Sequence, residues 1–386
     1  MKFFLKIQFF CKQIKNNNYT FKRPKKALIV LLEPAGMDVL LQHTSRNQVC
    51  LIDLYNELNV WVILNCIIKF KMSRLDYCLE YCKIVQPRLI ITFVDNALLT
   101  WRVMNARRDI KSAIVQCAWR GEVGDIFDAL KFNPPGDQFF INHLLLFNKN
   151  ISKNYLRYIK GIVYPIGSFR SNYIKKTNTS RRNTLLFISQ YRSPKKFPLK
   201  IMHTRQLISM QEMYFPEKAL LPLLQNFCQK NNMRLQVCGH GNSNEEKAFF
   251  SSLLPTDEWD FVPNLHRYHC YEIVDSAGVV VSIDSTLGYE AVARRAKTGL
   301  FLAREAILQN ESYRFGWPAP LERSGPFWTD RINSEEVDRI LSYLMNCTFD
   351  KWETEIETLA PELVANDPDN SQLNKIVRTA LQILPH

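Results

Sequence analysis

The chain has 386 residues, too many for one simple core and comfortable for two domains. Its composition, 46% hydrophobic and 23% charged, is that of a globular protein. The longest apolar run, Val60 to Ile68, is too short to span a bilayer, and the ten cysteines show no zinc-like pairing.

The net charge of +13 is uneven. Residues 1–26 hold eight lysines and arginines and no acid. If helical, they would align Phe3, Ile7, Phe10 and Ile14 on one face. Lysines interrupt the apolar part and no small-residue cleavage site follows, which argues against a secretory signal. The segment reads as a basic arm suited to anionic lipid headgroups, or as a solvated extension. Charge elsewhere is modest, and no interleaved basic-aromatic motif is present, so nucleic acid is not an expected partner.

Strands and helices then alternate. Ala27 to Leu32 and Gln48 to Leu54 read as strands, and Asn59 to Leu64 as a third. Met72 to Val85 reads as a helix stopped by Pro87. Arg88 to Val94 is a strong strand, Ala97 to Arg107 a helix, and Ser112 to Gln116 another strand. Phe139 to Phe147 and Ile162 to Ile166 complete the first half. Gly167 to Arg182 is polar and basic, and marks a boundary. A second series follows: strands at Thr184 to Ser189, Arg234 to Cys238 and Trp259 to Val262, with helices at Glu217 to Asn231, Glu245 to Leu254 and Tyr268 to Ser276. Such alternation means parallel βαβ units. The expected fold is α/β, with two Rossmann-like αβα domains facing a central cleft. The expected divisions are the arm at 1–26, a first domain at 27–167, a second at 183–333, and carboxyl-terminal helices at 334–386.

The most informative stretch runs from Gly278 to Ala293. Its β-branched run suits a strand buried on both faces. It breaks at Asp284-Ser285-Thr286 and resumes with helical spacing, with Gly288 where close packing would be needed. Ser285 or Thr286 would cap that helix, and its first-turn N–H groups would suit a phosphate. Glu290, one turn later on the same side, could accept hydrogen bonds from a ribose diol. An ordinary capped helix with a solvated glutamate fits the pattern equally well.

Other candidates are less specific. Gly239-His240-Gly241 follows a strand, so its backbone could approach a phosphate or sugar, or form a plain tight turn. Asp95 and Asn96 end a buried strand, where Asp95 could be a general base or, more simply, cap the next helix. Arg120 could bind a phosphate or acidic sugar. Tyr313, Phe315, Trp317, Phe327 and Trp328 follow no helical or strand period. They could wall a sugar site or pack an interdomain crossover. No Asp-x-Asp pair sits at a strand end, and His266 and His269 lack an obvious third ligand. Neither a metal nor another cofactor is therefore expected.

Taken in order, residues 90–96 (IITFVDN), Ile114 to Gln116 with Arg120, 164–168 (YPIGS), 261–263 (FVP), Val281 to Glu290, Phe315 to Pro318 and Gly325 to Trp328 resemble a bacterial surface-carbohydrate biosynthesis family with GT-B glycosyltransferase architecture. The resemblance spans residues 85–330, and the DSTLGYE stretch is its most specific part. It implies a nucleotide-sugar donor on the second domain and a glycan or lipid-linked glycan acceptor on the first. It also implies work in the cytoplasm, peripheral on the inner face of the cytoplasmic membrane. The family's usual Gln-Asn-Gly is replaced here by Gln116-Cys117-Ala118. The architecture itself leaves open a nucleotide-sugar epimerase or polyol-phosphate transferase, and that departure leaves open a non-catalytic binding protein.

Overall fold

The computed structural model describes residues 18–123, 125–177, 181–241 and 244–382. Residues 1–17, which hold the apolar stripe expected of the basic arm, lie outside them.

The first half contains β1 (Asn18–Thr20), β2 (Ile29–Leu32), β3 (Val49–Ile52), β4 (Glu57–Asn59), β5 (Leu89–Thr92), β6 (Lys111–Val115), β7 (Phe139–Leu146) and β8 (Ile159–Pro165). Six of them form a parallel sheet in the order β3-β2-β5-β6-β7-β8. The central strands are short apolar runs because both faces are covered: Val30 and Ile90 pack on one side, Ile29, Leu31 and Ile91 on the other.

The second half contains β9 (Arg181–Ile188), a short antiparallel pair β10 (Leu199–Lys200) and β11 (Leu207–Ile208), then β12 (Arg234–Cys238), β13 (Trp259–Val262), β14 (Ala277–Ser282), β15 (Thr298–Phe301) and β16 (Trp328–Thr329). Its main sheet is parallel in the order β13-β12-β9-β14-β15-β16. The chain leaves β9 to one side for β12 and β13, then returns to the other for β14. The crevice between the carboxyl ends of β9 and β14 is therefore a topological switch point, where open α/β sheets bind ligands.

Three stretches depart from expectation. Asn59 to Leu64 is not a strand. Asn59 caps a helix, Val60–Ile68, by accepting from the Val62 N–H, and Val62, Ile63 and Cys66 turn into the core. Packing on the neighbouring helix, Arg74–Val85, overrides the β-branched composition. Residues 18–20, at the end of the basic segment, form β1 and pair in parallel with β4. The carboxyl-terminal helices also divide. Ser334–Asn346 and Phe349–Glu357 pack on the second core, through Ile340, Leu344, Trp352 and Ile356. The last helix, Ser371–Leu381, crosses back and buries Leu373, Ile376 and Val377 against the first sheet.

Candidate functional site

A cavity of about 660 Å³ lies between the carboxyl edges of the two main sheets. The first half contributes Asn96, Cys117 to Gly121, Asp125 and Arg170. The second contributes Ser189, Gln190, Arg192, Gly239, His240, Arg267, Tyr271, Asp284 to Leu287, Tyr289, Glu290 and Tyr313. Of the candidate catalytic, nucleotide and acceptor residues, Asn96, Arg120, Gly239, His240, Ser285, Thr286 and Glu290 line it, and Asp95 and Gly241 do not.

The floor is built by the β14-to-helix turn. Ser285 is the N-cap of the helix Thr286–Ala293 and accepts from the Leu287 N–H at 3.3 Å. Gly288 lets the helix lie close to its strand: a Cβ there would sit 2.5 Å from the Ser282 side chain. Thr286 makes a contact the sequence did not suggest. Its Oγ1 accepts from the Trp119 N–H at 2.9 Å, and the Trp119 ring stacks on Tyr289 with centroids 4.2 Å apart. Together with the Glu122 N–H to Ser312 Oγ bond at 2.9 Å, this seats the altered loop after β6 on the second half.

Glu290 is buried, not solvated. Burial raises its carboxyl above the ordinary range, opposed by hydrogen bonds from Ser168 and Tyr271 and by the charge of Arg170. Ser168 itself caps the short helix Phe169–Tyr173, which carries Arg170 into the cleft. Arg170 Nη1 donates to the Cys117 carbonyl at 2.9 Å, and Arg267 pairs with Asp38 at 3.0 Å. With Arg192 they bring three guanidinium groups to a cleft that the carboxylates of Asp125, Asp284 and Glu290 also line. Arg192 and Arg267 lie in irregular segments and Arg170 in a helix of only five residues, and none carries a sequence pattern of its own.

Asp95 has a different setting. It is fully buried, and both oxygens are committed. Arg120 donates to them from Nε and Nη2, each at 2.6 Å; the Cys117 N–H donates at 2.8 Å, and the Tyr155 hydroxyl also donates. Burial opposes its charge, but Arg120, Tyr155 and the Cys117 N–H together outweigh it and hold the carboxyl below its ordinary value. No face of this carboxylate is left for an acceptor hydroxyl. Nor does it cap the following helix, Leu98–Ala106, whose N-cap is Ala97. Arg120 is buried rather than exposed, and also reaches Asp125 at 3.3 Å. Asp125 remains partly open to the cleft.

The Gly239-His240-Gly241 loop is occupied from within. Glu246 accepts from the His240 N–H at 2.8 Å and the Gly241 N–H at 3.2 Å, the donors a phosphate would need. Gly239 is required for packing, because a Cβ would meet the Phe261 ring at 2.6 Å. The tight-turn reading therefore describes this loop better.

Behind the floor, Arg304 is fully buried and pairs with both Glu217 and Asp284. It also donates to Gln190 Oε1 at 2.8 Å and the Met213 carbonyl at 2.9 Å. Asp284 Oδ2 lacks a hydrogen-bond partner among the described residues. The aromatic cluster is packed interior: Phe315 stacks on Trp328 at 4.4 Å in the second core, while Trp317 enters the first. Its only cleft-lining member is Tyr313. At the cleft rim, folding supplies the third group that the sequence lacked: His266, His269 and Glu272 bring possible ligand atoms within 4.8 Å of one another.

A family model described as "putative O-antigen biosynthesis protein" matches residues 113–381. No curated protein matches the chain. Among solved structures, a "putative UDP-N-acetylglucosamine 2-epimerase" from Listeria monocytogenes is similar at 9% identity, covering 92% of this chain and 96% of that one, with a TM-score of 0.54. The wall teichoic acid polymerase TagF is similar at 8% identity, covering 98% of each chain, with a TM-score of 0.52. A UDP-GlcNAc 2-epimerase from Methanocaldococcus jannaschii, in complex with UDP-GlcNAc and UDP, is similar at 9% identity, covering 93% of this chain and 99% of that one, with a TM-score of 0.50. These likenesses establish the fold: two Rossmann-like αβα domains facing a cleft, the GT-B architecture.

Proposed function

The chain belongs to this family of O-antigen biosynthesis proteins, and we propose that it transfers a sugar from a nucleotide-activated donor to a cell-surface polysaccharide or its lipid-linked precursor. The observation that carries the reading is Glu290, a buried carboxylate one turn inside a Ser285-capped helix, lining a cleft that also holds Arg170, Arg192 and Arg267. The carboxylate accepts from the ribose diol. The helix terminus and Arg170, Arg192 and Arg267 balance the diphosphate. The leaving nucleotide is thereby stabilised without a metal, by fixed donors in a partly enclosed site. A cavity of about 660 Å³ falls within the range that takes a small-molecule ligand. The same fold in an epimerase complexed with UDP-GlcNAc and UDP makes uridine nucleotides the first compounds to test.

In this reading residues 183–333 hold the donor and residues 27–167 the acceptor, beside Asn96 and Arg120. The helices of 334–386 brace the two. Asp95 is a positioning residue that fixes Arg120. The general base is the cleft-facing Asp125, which Arg120 bridges to Asp95. The basic segment 1–26 brings the enzyme to the inner face of the cytoplasmic membrane.

The test is a thermal-shift screen of the full chain over UDP, GDP, CMP and CDP compounds in EDTA, followed by transfer assays with the binder. A ligand at a hundred times its Kd adds about 2.7 kcal/mol. No stabilisation by any nucleotide overturns the site. Stabilisation lost in EDTA and restored by magnesium overturns metal independence, and restoration by zinc instead points to His266, His269 and Glu272. Conversion of the donor sugar without transfer replaces this reading with the epimerase one.

A further inference from the structure

The helix Val60–Ile68 is apolar except for Asn65, whose amide turns back to the Trp61 carbonyl at 2.8 Å, and so apolar a helix is normally buried on every side. Only one side is buried. Val62, Ile63 and Cys66 enter the first core, while Trp61, Leu64, Ile67 and Ile68 face solvent, with Ile68 75% exposed. Trp61, Leu64 and Ile68, at i, i+3 and i+7, form one stripe.

Two neighbours extend it. Phe21 is 71% exposed, and its carbonyl accepts from Trp61 Nε1 at 2.6 Å. Asn59 Nδ2 donates to the Lys22 carbonyl at 2.8 Å, so this segment is fastened beside the helix. Phe70 is 79% exposed and has φ +53°. The helix ends in paired reverse bonds, Phe70 N–H to Ile67 O and Lys71 N–H to Cys66 O, at 2.9 and 2.8 Å. That motif places its left-handed residue where glycine is cheapest. Here the position carries a mostly exposed phenylalanine, at a conformational cost.

We propose that the outer face of the helix Val60–Ile68, with Phe21 and Phe70, is a docking surface that lies in the headgroup layer of an anionic bilayer. The charge around it selects that occupant. Exposed Lys22, Arg23, Lys25 and Lys26 follow Phe21, and Lys69 and Lys71 flank Phe70. Of these six cations, Lys69 is paired with Glu80. The preceding seventeen residues add Lys2, Lys6, Lys12 and Lys15, no acid, and join the fold at Asn18, next to this helix. A second copy docked by a twofold axis would set this cationic rim against itself, and the amino-terminal residues would also bring positive charge to it. Anionic lipid meets both requirements: it accepts the apolar side chains and balances the rim. An aromatic side chain such as Trp61 is suited to that interface. The helix follows β3 and β4 in the chain, in the half that the proposed function assigns to the acceptor. This placement suits an acceptor carried on lipid, although the docking surface does not depend on the donor or acceptor reading.

The test is cosedimentation of the full chain with phosphatidylcholine vesicles, with and without phosphatidylglycerol. Size-exclusion chromatography and circular dichroism serve as controls. The wild type is expected to bind the anionic vesicles and to be weakened at about 1 M salt, where the Debye length falls to about 3 Å. The variant Ile68→Asp with Phe70→Asp is expected to lose about tenfold or more of that binding while staying folded. Phe70→Gly separates a docking role from a structural one: it relaxes the left-handed residue, so melting temperature holds or rises while vesicle binding falls. Three results overturn the proposal. The wild type binds no vesicles; the double variant binds them as the wild type does; or the double variant splits a wild-type dimer and leaves vesicle binding unchanged, making the face an interface between copies.

Discussion

Asp95, beyond β5, and Glu290, one turn into the helix beyond β14, are buried carboxylates near the carboxyl edges of equivalent parallel sheets. Their compensation differs. Asp95 receives a bidentate guanidinium, a backbone N–H and a tyrosine hydroxyl, and its carboxyl is held below its ordinary value. Glu290 receives hydroxyls from Ser168 and Tyr271, with arginines near but no ion pair to it among the described residues, and its carboxyl is raised. Burial alone does not separate a structural carboxylate from a ligand-binding one. The extent to which the protein has already neutralised it does, because a saturated carboxylate has nothing left to offer a ligand.

The largest expected effect tests the Asp95 side. Asp95→Ala would leave Arg120 buried with the longer contact to Asp125 and the Cys117 sulfur, a loss of about 3–5 kcal/mol by analogy with broken buried pairs. Chemical denaturation should show it as a large fall in midpoint. A variant of native stability that has lost only transfer would return Asp95 to the role of base.

On the other side, Glu290→Ala should stay folded and weaken nucleotide binding by about 1.5–3 kcal/mol, more than tenfold. Calorimetry on the folded variant checks this, and unchanged affinity would sink the ribose assignment.

The smallest effect is a pH difference of opposite sign at the two sites. Asp95 has a depressed carboxyl, so its stabilising contribution is present above the unfolded value and lost as pH falls through the folded one. The deficit of Asp95→Asn should therefore shrink in acid. Glu290 has a raised carboxyl, so its contribution is present below the unfolded value and lost as pH rises through the folded one. Glu290→Gln should gain on the wild type as pH rises, by about 1.4 kcal/mol per unit of pKa difference. Denaturation midpoints across pH measure both slopes, and slopes of the same sign would erase the distinction.

Local pattern carried much of this protein. The β-branched runs at 29–32, 89–92 and 279–282 read as buried strands because sheets covered on both faces leave no alternation. Ser285 was legible as a cap and Gly288 as a close contact, since both express backbone geometry within one turn. The charge excess of residues 1–26 needs only counting.

Long-range assembly was out of reach. The strand expected at 59–64 is a helix because a core formed by distant residues accepts Val62, Ile63 and Cys66. The return of Ser371–Leu381 to the first sheet, and Arg120 folding onto Asp95 twenty-five residues away, depend on partners that no window of sequence contains. The roles of Asp95 and Gly239-His240-Gly241 turned on the same point. The sequence identifies a carboxylate or a pair of N–H groups by type. Only the tertiary structure decides whether a guanidinium or a glutamate has already satisfied them, because electrostatic and hydrogen-bonding capacity is spent through space rather than along the chain.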